Sequence, residues 1–589
     1  MLCSHSSRAP LLSHRLAQAL LLLTALCAAG AHALDVEVDA PGELDTLLKQ
    51  HLETARAARS DEALDEAEIA RLREVSEATA RELLATEGYF TPQIQSTLTR
   101  TRNDWLIRYV VTPGPRTRVR NVDIRFEGAL ADDPEETRLR GRTERAFELE
   151  PPMPFRQADW ARAKLTLLRP LLSGRYPAAR ITASEARIDP ATQSADLSVT
   201  VDSGPAFYYG PLVIKGTERY PETIVRNLSP ARPGKPLRQQ ELLDYQLALE
   251  ASGYYAQATV RVTPDPAQAA AVPVEVEVVE RPQKLFSVGV GYSTDTGARV
   301  QTSWLHRDIL DRGWRLKFDA KLEQARQSGG VELAWPRDEK GYEHSTGVVL
   351  KREDIEGQET ESAVLAARRT RTRGEIETTT SLQYQIEEQT IGDVLSARNE
   401  ALIANQAWTR RTIGRAFYPR RGYVFTLQAG GALESLLSDT TFARLYTRYT
   451  HHFPAGDNGR LILRGELGSV IAETRLGIPT DFLFRAGGDN SVRGYAYQSL
   501  GRTLEGGVAS VRHLATGSVE YNHFFGGNWG AAVFVDAGDA ADTPAALSPV
   551  YGYGVGARYR SPVGPINLDV AWGEATQELR VHFSLGVTF

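Results

Sequence analysis

The stretch FSVGVGYS, residues 286–293, decides the fold class of the second half of this chain. Its large apolar side chains alternate with serine and glycine, and the stretch VHFSLGVTF, residues 581–589, repeats that pattern. A period of two places all the large side chains on one face of a β-strand. Strands with an apolar outer face and a small or polar inner face are typical of a transmembrane β-barrel.

The same alternation dominates from Leu285 to Phe589, where about 16 segments have the length of a tilted spanning strand. After residue 33 we find no apolar run of the roughly 18 residues that a membrane helix needs. A closed barrel is the other way to satisfy every backbone group in lipid. The sequence therefore predicts a 16-stranded antiparallel transmembrane β-barrel over residues 284–589. A soluble β-sandwich is the alternative, but it gives no reason for an aromatic last strand.

The first 33 residues have the composition of a signal peptide. Two arginines precede a short apolar segment at residues 19–29, and Ala31-His32-Ala33 fits a cleavage site. Both cysteines of the chain, Cys3 and Cys27, lie in this segment, so we expect an exported mature chain without disulfides. The net charge of −6 argues against nucleic acid as the main partner, because nucleic acid favours a basic surface.

Residues 34–283 contain three copies of a helix–strand pattern. Each copy has an amphipathic helix that ends near a glycine and an aromatic residue, followed by an alternating strand that ends near a proline. The period of roughly 80–90 residues is that of a small α/β domain rather than a solenoid turn. The sequence predicts α+β domains over residues 34–115, 116–205 and 206–283. A generic α/β repeat without a particular role is the alternative.

The stretch GGDNSVRGYAY, residues 487–497, places Arg493 in a connection far longer than a hairpin needs. The pleat of the strands that follow turns Glu520, Phe534 and Asp536 toward the barrel interior, because their sequence neighbours are the apolar, lipid-facing residues. A loop folded into the lumen would bring Arg493 to these carboxylates, and pairing offsets the cost of burying a guanidinium. An exposed Arg493 with two solvated acids is the alternative.

Four segments, in this order, carry a resemblance to a known family: SVRGYAY at 491–497, GSVEYNHFF at 517–525, VFVDAGDA at 533–540 and YGVGARYRSPVGPINLDVAW at 553–572. With the export signal and repeats that resemble periplasmic POTRA domains, they are similar to the outer-membrane assembly superfamily. That family includes BamA insertases, two-partner secretion transporters and TamA-type barrels. The resemblance implies a lock in which Arg493, beside Gly494 and Tyr495 of the loop motif, is bonded to Asp536, with Glu520 nearby.

Three repeats in a chain of this length resemble the TamA branch, since BamA proteins carry five and two-partner transporters two. The resemblance implies an outer-membrane barrel with its POTRA domains in the periplasm, and a TamB-like partner anchored in the inner membrane. It also implies unfolded outer-membrane or autotransporter proteins as clients and contact with outer-membrane lipid. A two-partner secretion transporter is the closer alternative, and a passive porin is the alternative of a different class.

The family resemblance also implies a weak seam, between the first and last barrel strands, that opens sideways. Glycines weaken packing in a strand, and we expect Gly586 and the glycines of the first strand to do so at the seam. A short seam without a gating role is the alternative. The residues expected at the seam and in the C-terminal insertion signal are Phe286, Val288, Val290, Phe583, Leu585, Gly586 and Phe589.

The sequence gives no sign of catalytic chemistry. It contains no G-x-S-x-G in a strand–turn–helix setting and no H-E-x-x-H motif. His451 and His452 are adjacent on a predicted strand, so they point to opposite faces and are poorly placed to share a metal ion. We therefore expect a protein that is not an enzyme and that needs no cofactor or metal.

Overall fold

A computed structural model of the chain describes residues 34–60, 64–101, 104–414, 418–562 and 564–588. The expected signal peptide, with Cys3 and Cys27, and the expected terminal Phe589 lie outside these residues. Within the described ranges, no helix is both long enough and apolar enough to cross a membrane.

The first repeat comprises β1 (Leu34–Asp39), α1 (Glu43–His51), α2 (Glu53–Ala57), α3 (Glu66–Thr86), β2 (Gln93–Thr101) and β3 (Asp104–Thr112). Its sheet has the order β1-β3-β2, with β1 parallel and β2 antiparallel to β3. The Asp65 side chain accepts the Glu68 N–H at 2.8 Å and so caps the first turn of α3. The helices bury Leu48 and Leu84 against Ile107 of β3, and all three side chains are fully buried.

The second repeat comprises β4 (Arg118–Glu127), α4 (Ala129–Asp132), α5 (Thr137–Arg145), α6 (Gln157–Leu172), β5 (Arg180–Asp189) and β6 (Ser194–Asp202). Its sheet repeats the pattern of the first, in the order β4-β6-β5, with β4 parallel and β5 antiparallel to β6. The third comprises β7 (Tyr209–Lys215), α7 (Glu222–Leu228), α8 (Gln239–Ala251), β8 (Tyr255–Arg261) and β9 (Val272–Glu280), with the sheet order β7-β9-β8.

The chain forms two compact units, and the third repeat contributes segments to both. One unit comprises the chain up to Pro211 together with Ala231–Glu241 and Val262–Val274. The other comprises Leu212–Pro230, Leu242–Arg261 and the chain from Glu275 onward.

Sixteen strands form a closed barrel in which neighbours along the chain are antiparallel. A long loop between the eleventh and twelfth of them, residues 472–512, carries the two short strands β21 (Arg502–Leu504) and β22 (Gly507–Ala509). The barrel strands are β10 (Lys284–Ser293), β11 (Gly297–Ile309), β12 (Trp314–Glu323), β13 (Arg326–Ala334), β14 (Tyr342–Ile355), β15 (Gln358–Arg373), β16 (Ile376–Ile391), β17 (Leu395–Arg411), β18 (Gly422–Ala432), β19 (Phe442–Ala455), β20 (Gly459–Ile471), β23 (His513–Phe524), β24 (Trp529–Ala541), β25 (Val550–Ser561), β26 (Gly564–Gly573) and β27 (Glu578–Thr588).

The alternation along the barrel strands separates an apolar outside from a packed inside. On β24, Val533 and Val535 are 53% and 52% exposed, whereas Phe534 and Asp536 between and after them are 4% and 0% exposed. Period two thus directs every second side chain into the lumen. The predicted fold class, α+β repeats followed by a 16-stranded antiparallel barrel, is confirmed.

Candidate functional site

The loop at residues 472–512 folds into the barrel interior instead of extending from its rim. Phe482 and Phe484 near its start are buried, and the Phe484 ring stacks on Tyr446 of β19 with centroids 6.1 Å apart. Near its middle, Val492, Arg493 and Tyr495 are at most 3% exposed. The loop therefore occupies space that the pleat leaves between inward-facing side chains.

Arg493 binds Asp536 of β24 through three hydrogen bonds. Its Nε donates to Oδ2 at 2.7 Å and its Nη2 to Oδ1 at 2.9 Å, while its backbone N–H donates to Oδ2 at 3.1 Å. The guanidinium carbon lies 3.3 Å from the ring centre of Phe534, a distance at which a cation–π interaction is favourable. A planar fork, a facing carboxylate and an aromatic ring together fix the position and orientation of this side chain.

Two further carboxylates complete the contacts of the Arg493 guanidinium. Its Nη1 donates to Glu520 of β23 at 2.6 Å and to Asp569 of β26 at 3.2 Å. Arg558 of β25 also binds both Glu520 and Asp569, and Arg464 of β20 lies 3.9 Å from Glu520. We call the six residues Arg464, Arg493, Glu520, Asp536, Arg558 and Asp569 the lumen cluster.

The lumen cluster is electrically balanced. Three guanidinium groups face three carboxylates, so its formal charge is zero, and Arg493 and Asp536 are only 2% and 0% exposed. Burial makes a matched set tolerable, whereas an unpaired ion in the same place would be costly. The cluster thus holds a single loop residue against strands β23, β24 and β26, while Arg464 of β20 and Arg558 of β25 bind the carboxylates that it contacts.

His582 of β27 makes a second attachment to the loop. The Gly494 N–H donates to its Nε2 at 3.0 Å, so Nδ1 carries the proton and donates to the Asp489 carboxylate at 2.7 Å. The Asp489 N–H in turn donates to Asp295, in the turn after β10, at 3.1 Å. Through Asp489 the loop tip is bonded on one side to the last barrel strand and on the other to the turn that follows the first.

Asp295, Asp489 and His582 are close enough together to be considered as metal ligands, since their ligand atoms lie within 4.8 Å of one another. Both ring nitrogens of His582 are already used, because Nε2 accepts from Gly494 and Nδ1–H donates to Asp489. This tautomer leaves no ring lone pair for an ion.

Burial and the adjacent Asp489 carboxylate raise the pKa of Asp295 to about 7, which fits a proton-linked contact.

Gly494 is required by the close approach of the loop to β26. Its φ of +96° lies in the left-handed region, and a Cβ there would come within 2.8 Å of the Gly573 backbone nitrogen. The next residue, Tyr495, donates its hydroxyl proton to the Tyr551 carbonyl at 3.1 Å and accepts the Ala575 N–H at 3.0 Å. These contacts explain why glycine and tyrosine follow Arg493.

The seam between β10 and β27 pairs only residues 289–293 with residues 584–588 among those described. By contrast, all ten residues of β10 pair with β11 on its other side. Gly291 and Gly586 lie opposite each other at the centre of the seam, and Val290 and Leu585 are also in its paired stretch. The ring of Tyr292, within this stretch, lies 6.2 Å from the ring of Phe583, just beyond it.

Neither Phe286 nor Val288 has a partner among the described residues of β27, so their place at the seam stays a prediction. Pairing starts at Gly289, opposite Thr588, because the two strands are staggered, and the first half of β10 extends past the described end of β27. The stagger of a barrel follows from its shear, which a strand pattern does not specify.

Sequence reasoning missed Arg464, Arg558, Asp569 and His582. Each lies on a spanning strand at an inward position, and Asp569 and His582 interrupt outward-facing apolar residues as Glu520 does. Alternation could have placed these four residues in the lumen, but it could not have shown that they lie together.

Of the two adjacent histidines, His451 stacks on Phe453 with ring centres 3.7 Å apart, while His452 is part of the lining of a lumen cavity of about 400 Å³ beside the lumen cluster.

Comparison with one solved structure, a BamA barrel, agrees with the fold. The barrel and repeats resemble BamA from Haemophilus ducreyi lacking POTRA domains 1–3, at 16% identity and a TM-score of 0.61, over 80% of this chain and 100% of that one. CdiB from Acinetobacter baumannii is a weaker likeness, at 14% identity and a TM-score of 0.48, over 81% of this chain and 91% of that one. At these identities the likeness concerns the fold alone.

A curated relative, the chloroplastic outer envelope protein 80 of Arabidopsis thaliana, is 34% identical over 115 residues. The match spans 18% of this chain and only 14% of that protein. Two repeat models also match: "POTRA domain TamA domain 1" at residues 35–113, and the POTRA model described as "Surface antigen variable number repeat" at residues 207–281.

The barrel gives the most extensive match. The Omp85 superfamily domain matches residues 283–589, which is 307 of the 589 residues and includes the seam, the loop and the lumen cluster. The chain therefore belongs to the Omp85 superfamily.

Proposed function

We propose that this chain is an outer-membrane factor that helps to insert or secrete β-barrel and autotransporter-type clients, with its POTRA domains in the periplasm. The observation that carries the proposal is the seam, where residues 289–293 pair with 584–588 around the facing Gly291 and Gly586. A stretch of five paired residues offers few backbone hydrogen bonds, and glycine adds little packing. Membership of the Omp85 superfamily supports the same function.

The seam would act by presenting strand edges. When β10 and β27 separate, each exposes unpaired N–H and C=O groups, and a client strand can add to such an edge by β-augmentation. No covalent step is needed, so we propose that the chain is not an enzyme and uses no cofactor. A weakly paired seam would also thin the adjacent bilayer and ease the entry of the client.

The loop would regulate this seam as a lock. Arg493 holds the loop to strands β23, β24 and β26, while Asp489 is bonded to His582 of β27 and to Asp295 beyond β10. The closed loop therefore spans both sides of the seam. Its release would remove the contacts that tie the first hairpin to the last strand.

The TamA branch of the superfamily, with a TamB-like periplasmic partner, is the finer assignment that we propose. The match of residues 35–113 to a POTRA model named for TamA domain 1 supports it, as does the presence of three repeats. A two-partner secretion transporter is the alternative within the superfamily. A passive porin is disfavoured because the loop lies inside the lumen beside the lumen cluster.

Two experiments separate these possibilities. The full-length chain is purified from its native membrane, and co-purification of a TamB-like protein through the repeats would support the TamA assignment. Capture of a large secreted partner instead would favour the transporter. A client assay then tests the function itself: proteoliposomes with the chain should speed the folding of a urea-unfolded autotransporter barrel, and equal folding in empty liposomes would contradict the proposal.

A further inference from the structure

The outer wall of the barrel carries a group of arginines at one end of β15. Its outward positions are odd-numbered, since Leu365 is 53% exposed while Val364 and Ala366 are buried. The same parity turns Arg369, Arg371 and Arg373 outward at the end of the strand. Three cations at alternate positions of one strand thus face the surroundings of the barrel rather than its lumen.

This end of β15 lies on the side of the third repeat. Arg371 is directly opposite Tyr342, the first residue of β14. The turn before Tyr342 contains Arg337, whose carbonyl accepts a hydrogen bond from Asn227 of the third repeat at 2.8 Å. The arginines therefore lie at the rim of the barrel that contacts residues 212–230 of the third repeat, which belong to the same compact unit.

Tyr342 gathers two of the arginines. The guanidinium carbons of Arg369 and Arg371 lie 3.5 Å and 4.7 Å from its ring centre, and Arg371 also donates to its hydroxyl at 3.3 Å. Cation–π contacts and the amphipathic ring are typical of the interface between lipid tails and head groups. The ring thus holds two positive charges close together at one site on the wall.

None of these three arginines has a carboxylate within ion-pair distance among the described residues, although neighbouring arginines do. Arg368, which faces inward, pairs with Glu332 at 3.0 Å, and Arg410 on the outside pairs with Glu375 at 3.1 Å. Like charges held together repel, so an anion from outside the chain would stabilise this group. A phosphate is well suited, because guanidinium forks bind it through paired hydrogen bonds.

The apolar band is short beside this group. On β15 the outward apolar residues between Glu361 and Arg369 extend only from Ala363 to Ala367, about 14 Å along the strand. On β24 the outward apolar residues extend from Trp529 to Ala537, about 27 Å by the same rise. Barrels of the outer membrane present an apolar band about 25 Å tall, so the short apolar stretch on β15 leaves room for head groups to approach more closely there than at β24.

We propose that Arg369, Arg371, Arg373 and Tyr342 form a binding site for the phosphate of an anionic phospholipid, in the leaflet on the side of the repeats. The proposal rests on the membrane location proposed above but not on the client activity. The lipid phosphate supplies the missing counter-charge, and the short apolar band on β15 brings it to the depth of Arg369.

Native mass spectrometry of the full-length chain, released from nanodiscs that contain phosphatidylglycerol and phosphatidylcholine, tests the site. The triple variant R369Q/R371Q/R373Q should retain phosphatidylglycerol about 100-fold more weakly, the combined effect expected of three surface arginines on an anionic lipid. The control variant Arg352→Gln removes an outward arginine that is paired with Glu361 near the other end of the barrel wall. It should retain the lipid as the unaltered chain does.

Two results would overturn the proposal: equal retention by the triple variant, or equal loss from the control. A third arm adds inorganic phosphate, and full displacement of the lipid by millimolar phosphate would indicate a general anion site instead. Heat-dependent mobility on a gel shows that each variant has a folded barrel. Client folding is measured on the same samples, so failure of lipid binding with intact client folding refutes only this inference.

Discussion

Replacing Arg493 with alanine should release the loop while leaving the barrel folded. The substitution removes one of three guanidinium groups and leaves Glu520, Asp536 and Asp569 facing only Arg464 and Arg558. The formal charge of the lumen cluster then changes from zero to −1. Asp536 is affected most. It loses both hydrogen bonds from the guanidinium, and its bond from the residue 493 backbone N–H persists only while the loop stays in place.

The magnitude follows from burial. Breaking a buried ion pair by removing one partner costs about 3–5 kcal/mol, and Asp536 is fully buried. A loss of about 4 kcal/mol raises the open fraction of the loop by roughly a thousandfold. Asp536→Asn leaves an excess of positive charge and should have a similar effect. The double variant is neutral again, so its cost should fall short of the sum by about 2 kcal/mol.

Trypsin cleavage of the loop measures its open fraction, because an opened segment is cleaved in proportion to its population. The site at Arg502 serves for every variant. Arg448→Ala is the matched control, since it removes an arginine paired with Glu466 of the adjacent strand at 3.0 Å. Faster cleavage in Arg493→Ala, but not in this control, is expected. Unchanged cleavage of a folded Arg493→Ala barrel, or strictly additive effects in the double variant, would refute the lock.

Two smaller perturbations address the same loop. Gly494→Ala should destabilise the closed loop by about 1–3 kcal/mol, because the new Cβ meets the Gly573 backbone at a left-handed φ. Cleavage at Arg502 should therefore be faster than in the unaltered chain but slower than in Arg493→Ala; a rate equal to that of the unaltered chain would contradict this reading. The second concerns pH. The pKa of Asp295 is raised from 3.8 to about 7 in the closed loop, so closure favours its protonated form and weakens as pH rises between these values. Asp489, His582 and Tyr497 are the titratable groups that act on Asp295. Cleavage relative to Asp295→Asn should therefore increase from pH 5 to pH 7.5, and a constant ratio would contradict the assignment.

Local pattern was sufficient for the barrel and for the inward direction of Glu520, Phe534 and Asp536, because a period of two depends only on neighbours in the sequence. The local pattern was not sufficient to identify the other residues of the lumen cluster. Asp569 binds Arg493, and Arg558 binds Glu520 and Asp569. Both residues lie on strands whose relative height is set by shear and closure, which are properties of the whole barrel.

The same limit applies to the seam. Phe286 and Val288 are on the expected strand and the expected face, but the described pairing between first and last strands begins at Gly289. The hairpin of β21 and β22 within the loop was also missed, because three-residue strands give no measurable alternation.

A disulfide across the seam tests the central claim most directly. Ser293 and Ser584 lie opposite each other and both face inward, so a cysteine at each would be within disulfide reach. The matched control joins the same Ser584 position to Asn567, its partner on β26. Client folding in proteoliposomes is then compared with and without reductant. We expect the seam disulfide to abolish it reversibly and the control disulfide to leave it intact. Undiminished client folding with the seam disulfide fully formed would contradict the account.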